Sequence, residues 1–444
     1  MHTREKAKKL CDKILKISKG NTEVVVNSSD SALSRFAKNA IIQNVASKTD
    51  SISVHVRIGG KIGSSSTNKT DDASLKAVVE RATLAAKSAS PTKGLAPMLG
   101  AQKYRKTANY CAATAKVGPE ERAEAIRYIA NKCKRAKIEC AGVFSNSNTS
   151  FAMANSKGLF AYDASTGAEF SVTALTGSSE GWAGSSHRDH RTIDTKRLSD
   201  IAFDKAVAGQ KPKNIPAGKY TVVLEPAAVT NLIVFMRGGF SGRLFHEGTS
   251  FLTGRLGKQV FGKNITIADE SENPEIGGMP FDFEGTPRRD TILVKNGVVK
   301  TMLYDRRTAA EHKKKPTGHG LPQPSPIGAV PFNIVVGGGD SSMAEMIAST
   351  KKGLLVTNFH YTNLAERREV VLTGMTSNGL FLIENGRIKH PVKNMRYTQS
   401  IIEAFNNVEA MSKEHVLATA FFGGSFVVPA MKINGFNFSS ETKF

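Results

Sequence analysis

Two Asn-Gly dipeptides, each set between arms rich in β-branched and apolar residues, constrain this chain more than any other feature. They are Asn296-Gly297 in ILVKNGVVKTML and Asn385-Gly386 in LFLIENGRIKHPV. A two-residue turn that matches the twist of its flanking strands needs φ > 0 at both central positions, and Asn-Gly adopts that conformation with least strain. The chain is therefore expected to double back at both places, forming hairpins in one sheet or barrel. Around them, from Gly218 onward, KYTVVLEP reads as a strand and AAVTNLIVFMRG as a helix, after which short strands dominate. Between the two hairpins, KKKPTGHGLPQPSPIGAVP holds too much Pro and Gly for a core element. It is expected to be an exposed loop over a groove, with His319 solvated.

The first half reads differently. Ala7, Leu10, Ile14, Leu15 and Ile17 fall largely on one helical face, so residues 4–18 are expected to form an amphipathic helix. TEVVVNSS and SISVHVRIGGKIGSSS read as strands separated by SALSRFAKNAIIQN, and DDASLKAVVERATLAAKSA reads as a helix capped by Asp71 or Asp72. Ser90–Gln102, with two Pro and two Gly, reads as a linker. Beyond it, Pro119–Ala136 has Pro and acidic residues in its first turn, the pattern of a helix start. Four short strands, IECAGVFSNSN, SFAMANSKG, LFAYDAST and GAEFSVTALTG, are expected as an antiparallel meander before a helix over Asp194–Ala208. The expected class is α+β, with an N-terminal α/β region of antiparallel strands and helices and a C-terminal β-rich domain, barrel-like or layered. Three units are expected, at 1–90, 91–214 and 215–444.

Charge narrows the partners. The 61 Lys and Arg outnumber 39 Asp and Glu, giving +22 and a pI near 9.8, a field that favours anionic partners. The basic residues are scattered, however, with no run longer than Lys313-Lys314-Lys315 and no arginine-rich arm or RNA-binding signature, so nucleic acid is not the expected partner. Cys11, Cys111, Cys133 and Cys140 make no CxxC and have no metal-type spacing, which fits reduced thiols. No secretory signal opens the chain and nowhere do 18 apolar residues run together, so a cytoplasmic protein without a membrane span is expected.

The chemical candidates are few. His246-Glu247 could begin a zinc hydrolase motif, with Glu247 as the base and His246 as a ligand, but a second His is required one helical turn on. Ser250 and Phe251 stand at those places, and Gly248-Thr249 would interrupt a helix. A distant His319 or His360 could complete such a site only through the fold. Gly337-Gly338-Gly339-Asp340 lies between strand and helix patterns, yet it is neither GxGxxG nor a Walker loop, and Asp340 is expected to cap the helix. There is no GxSxG elbow. No catalytic residue can be assigned. His360 and Tyr361 in VTNFHYTN are expected to be a packed aromatic pair, with a substrate groove as the functional alternative. Glu366-Arg367-Arg368 reads as a charged turn in which Arg367 could meet a partner.

A resemblance adds to this reading. GTSFLTGRLGKQVFGKNITIADE (248–270), EGTPRRDTILVKNGVVKTMLYDRRTA (284–309), KKGLLVTNFHYTN (351–363), TGMTSNGLFLIENGRIKHPVKNMRYTQS (373–400) and VVPAMKINGFNFSS (427–440) occur in order. Together they resemble the C-terminal domain of the TldD/PmbA family, whose PmbA members are also called TldE. The family's TldD-type chains carry a zinc motif containing His-Glu shortly before the GTS block and a Cys ligand near the C-terminus. Here His246-Glu247 abuts the GTS block directly. No Cys follows Cys140, including at Phe421–Phe426, where the ligand would be sought. The resemblance thus implies a PmbA/TldE-like, catalytically inert subunit of a peptide-degrading metallopeptidase complex. It would bind no metal itself, and zinc is expected in a TldD-type partner forming a heterodimer or larger assembly. The alternative from a different class is a stand-alone binding or regulatory protein acting on nucleic acid or an acidic protein.

Overall fold

The computed structural model describes residues 1–419 and 424–441. Its first half is built on one six-stranded antiparallel sheet. Helix α1 (Arg4–Ile17) begins at Thr3, whose hydroxyl accepts from the Lys6 amide, and leads into β1 (Asn21–Ala37), β2 (Ala40–Ile58) and β3 (Lys61–Thr67). Helix α2 (Asp72–Ser88) is capped by Asp71, which accepts from the Ser74 amide at 2.9 Å. After the linker come α3 (Ala112–Ala115), α4 (Pro119–Ala136), β4 (Glu139–Asn155), β5 (Phe160–Leu175), β6 (Glu180–His187) and α5 (Thr195–Ala208), the last capped by Asp194. The strand order is β3-β2-β1-β4-β5-β6, so strands from both sides of the linker share one sheet.

Alternation assigns that sheet its two faces. Val24, Phe36, Phe144, Ala152, Phe170 and Val172 lie beneath α1, α2, α4 and α5, forming two clusters on one face. The opposite face carries Phe151 and Met153, which pack on Phe281 of the second half, with Tyr104 completing the contact at a ring distance of 5.0 Å. Burying a side chain such as Phe281 stabilises by roughly 1.5–3 kcal/mol, so this face ties the two halves together.

Two strand expectations are corrected here. SALSRFAKNAIIQN does not separate two strands but belongs to both, because β1 and β2 continue for 17 and 19 residues and turn only at Lys38-Asn39. Both turn residues have positive φ, 50° and 61°, and Asn39 is fastened by its side chain to the Ile138 carbonyl and the Cys140 amide. The four short strands are likewise fused into β4 and β5. Their Ser, Thr and Asn residues pair across the ladder, as Thr149 does with Ser165 at 2.9 Å, instead of breaking it.

The second half starts with β7 (Gly218–Leu224) and α6 (Pro226–Ile233), which tightens into a 3₁₀ segment over Val234–Phe240 before α7 (Gly242–His246). Short elements follow: β8 (Ile267–Asp269), β9 (Thr291–Lys295), β10 (Val298–Val299), α8 (Arg306–Glu311), β11 (Asn333–Val336) and α9 (Met343–Ala348). Long strands β12 (Lys352–Glu366) and β13 (Val371–Glu384) precede β14 (Arg387–Pro391), β15 (Met395–Ser400), α10 (Ile401–Asn406), β16 (Val408–Thr419) and β17 (Ser425–Glu441).

Both Asn-Gly hairpins form, β9–β10 and β13–β14, with φ of 51° and 78° at Asn296-Gly297 and 49° and 75° at Asn385-Gly386. The sheet also closes on itself. β7 pairs with β12, β12 with β13, β13 with β15, β15 with β17, and β17 with β7, a ring around a core that includes Leu224, Phe359, Tyr397 and Phe436. Helix α9 is capped not by Asp340 but by Ser342 in a reciprocal box with Glu345. That glutamate stands three positions into the helix and accepts a hydrogen bond from the Ser342 amide in return, a counterpart that Asp340 lacks. No helix among the described residues is long and apolar enough to cross a membrane.

Candidate functional site

A cavity of about 540 Å³ opens between the two halves. Its floor is the helix-free face of the first sheet at its β5–β6 edge, where the register sets Glu169, Ser171, Trp182 and Gly184 on one side. Its walls are α6, through Thr230 and Asn231, and the part of β12 from Asn358 to Asn363.

Hydrogen bonds hold both the floor and the walls. The Trp182 indole N–H donates to Ser171 Oγ at 3.0 Å. The ring lies against Gly184, where a Cβ would come within 2.7 Å of it, so the absence of a side chain at Gly184 lets the indole lie along the strand. Across the cavity, Asn231 Nδ2 donates to Asn358 Oδ1 at 2.7 Å, joining α6 to β12. Phe359 turns inward and stacks in the core, its ring centre 4.5 Å from that of Tyr397.

The next residues depart from strand geometry. The pairing of β12 with β13 passes from His360↔Met375 to Asn363↔Thr373, which leaves Tyr361 and Thr362 in a bulge. Thr362 is tied to the Tyr397 hydroxyl at 2.8 Å, while Tyr361 adopts a left-handed backbone with φ of 51° and is 72% exposed. The expectation of an aromatic pair packed in the core fails for this reason: alternation after Phe359 already points His360 outward, and the bulge turns Tyr361 to the same side, so both line the cavity with ring centres 4.2 Å apart.

The other candidates lie elsewhere. Arg367 stands in the exposed turn between β12 and β13, outside the cavity lining. His246 ends α7, stacks on His312 at 3.6 Å and meets the Tyr304 hydroxyl at 3.2 Å. Burial and the neighbouring His312 lower its pKa. Glu247 is paired with Arg243 at 2.8 Å. These residues do not fit a zinc site: the glutamate is engaged by a cation, and no group of three His, Cys, Asp or Glu side chains suited to a metal occurs among the described residues. Phe421 and Phe422, within the stretch where a Cys ligand would be sought, lie outside the described residues.

His319 is the clearest correction. It is fully buried, not solvated, with Nε2 3.2 Å from Asp269 Oδ1 and Nδ1 3.1 Å from the Thr317 hydroxyl. Its loop packs inward because Asp269 and Asp282 supply acceptors for it, the Asp282 carboxylate taking the Gly320 amide at 2.8 Å. Burial opposes the charge on Asp269, but Arg288, His319 and backbone amides outweigh it and hold its pKa below the usual carboxylate range. Beside it burial, reinforced by Asp282, raises the Glu284 carboxyl to about 8.

Sequence reasoning missed Trp182, Glu169 and Asn231. The one available signal was that Trp182 is the sole tryptophan of the chain.

Comparison with known proteins places this architecture. The chain matches the models of the PmbA/TldA metallopeptidase family in three consecutive stretches: domain 1 at residues 22–86, the central domain at 113–210 and the C-terminal domain at 217–440. The chain belongs to the PmbA/TldD metallopeptidase family. Among its relatives, a Methanothermobacter thermautotrophicus protein named a metalloprotease is 26% identical over 238 residues, covering 52% of this chain and 51% of the relative. Metalloprotease PmbA of Escherichia coli O157:H7 is 25% identical over 269 residues, 57% of this chain and 56% of its own. The matched segment thus spans about half the length of these PmbA/TldD relatives. The fold extends further: the crystal structure of TldE from Thermococcus kodakarensis superposes with a TM-score of 0.86 at 19% identity, covering 97% of this chain and 99% of that one.

Proposed function

We propose that this chain is the PmbA/TldE-type subunit of a two-component peptidase, in which a TldD-type partner would hold zinc and this chain would shape the chamber that receives the peptide. The observation that supports it most is the state of His246 and Glu247. The pair that stands closest to the family's zinc motif is taken up by His312, Tyr304 and Arg243. The absence of any Cys after Cys140 points the same way.

In this arrangement the zinc of the partner would supply an activated water, and the residues described here bind and orient. Among the described residues, the bulged part of β12 has a strand neighbour only in β13, because pairing with β7 ends at Val356. Main-chain pairing to such an edge accepts an extended peptide with little regard for its sequence, and aromatic groups around it hold side chains.

The test is zinc content and hydrolysis of an unstructured peptide, measured for this chain alone, for a TldD-type chain from the same source alone, and for the two co-expressed. Zinc and activity that require the partner are expected. Stoichiometric zinc and hydrolysis by this chain alone would overturn the assignment.

A further inference from the structure

The cavity carries more information than an unselective groove requires. Its floor bears the only tryptophan of the chain, held flat by Ser171 and Gly184. Its wall bears a tyrosine whose ring is largely exposed and whose backbone is strained. A left-handed conformation is unfavourable for a residue with a Cβ, and such strain persists only where the surroundings enforce it. Here the enforcement is visible in the bond from Thr362 to Tyr397, which pins the bulge from the next residue. The fold thus maintains Tyr361 in a conformation that contributes nothing to the core.

Charge gives the second half of the argument. Glu169 lies two positions along β5 from Ser171, on the same face as Trp182, and is exposed. No hydrogen bond or ion pair engages its carboxylate among the described residues, and no Lys or Arg lines the cavity among them. On a chain of net charge +22, Glu169 therefore presents to the aromatic cavity a carboxylate with no cation beside it among the described residues.

We propose that the cleft between Trp182 and Tyr361 binds an extended peptide by an aromatic or bulky apolar side chain, with an ammonium group of that peptide beside Glu169. The inference rests on the reading of this chain as a chamber-forming subunit, and it assigns that subunit a selectivity of its own. The rings supply apolar area at low entropic cost, and the carboxylate favours a positively charged end over a neutral one. Either the free N-terminal amine or a nearby Lys side chain could provide that charge, and acetylation of the N-terminus separates the two.

The experiment titrates short peptides into the chain, alone and co-purified with its partner. In the isolated chain Trp182 emission is the readout, unambiguous because no other tryptophan is present; in the complex it is calorimetry. A Phe-containing peptide is expected to shift the emission, and its Ala counterpart to bind about tenfold or more weakly. Tyr361→Asn should weaken the Phe peptide while raising the melting temperature, because Asn accepts the left-handed backbone; that opposite movement separates lost contact from damaged fold. Glu169→Gln should weaken only peptides carrying an ammonium group. Absence of Phe-dependent binding in both preparations, or binding unchanged in both variants, would overturn the proposal. Hydrolysis by the complex without binding at Trp182 would sink this inference alone. Binding without any partner-dependent hydrolysis would instead sink the assignment of the chamber.

Discussion

Two polar regions lie near the junction between the halves of the molecule, and they treat their polar groups in opposite ways. In the buried cluster, Asp269 receives Arg288, His319 and the Asn333 amide; Asp282 receives three backbone amides; and Glu284 receives the Arg306 amide. In the cavity, Glu169 stands without such a partner among the described residues, and Tyr361 is turned outward. The first region uses its charges on the protein itself. The second keeps them available, and availability distinguishes a binding surface from a brace more reliably than residue type does. His246-Glu247 makes the same point, since two residues suited to metal chemistry are committed to neighbours.

That contrast can be broken most directly at Asp269. Asp269→Ala would leave Arg288 buried without its counter-charge, and a loss of about 3–5 kcal/mol is expected in denaturant unfolding. A loss below about 1 kcal/mol would show that the cluster is not a brace.

Glu284 offers the next largest effect, and its sign follows from proton binding. Its carboxyl in the folded chain is raised from 4.5 to about 8, so between those values the folded state holds a proton that the unfolded state has released. Stability should therefore fall as pH rises from about 5 to 8 and level off above, by on the order of a few kcal/mol at about 1.4 kcal/mol per pKa unit. Glu284→Gln keeps an acceptor for the Arg306 amide and removes the titration. The variant should show a flatter pH profile and be the more stable protein at pH 8.

At Tyr361 and Glu247 the expected changes are smaller. Tyr361→Asn should stabilise the fold by roughly 1 kcal/mol, as release of left-handed strain would. A destabilised variant would mean that the ring contributes to packing after all. Glu247→Ala should cost least, about 0.5 kcal/mol or less for an exposed pair four residues apart, with no change in zinc content.

How much of this was legible in the sequence depended on how local the cause was. Helices α2, α4 and α5 could be bounded because Asp71, Pro119 and Asp194 act within one turn of themselves. The Asn-Gly hairpins could be placed because two residues alone determine the turn. The Lys38-Asn39 turn could not, since its conformation depends on bonds from Asn39 to Ile138 and Cys140, about a hundred positions away. His319 was misplaced for the same reason: the partner that draws it inward, Asp269, lies 50 positions earlier on another element. In the candidate site, His360 and Tyr361 were visible as residues but not as an outward bulge, which is a property of how β12 and β13 fail to match. Trp182 and Glu169 lie on strands whose significance emerges only when the second half covers that face.

The position of β17 has a consequence for the order of events during synthesis. This strand pairs with β7, β11, β15 and β16, so the ring of the second half lacks its common member until the residues up to Glu441 have left the ribosome. The six strands of the first sheet are complete once His187 has emerged. A nascent chain would thus carry a finished first sheet for some 250 residues of translation before β17 is complete, and for about the first 90 of them its apolar Phe151 and Met153 face would still wait for Phe281.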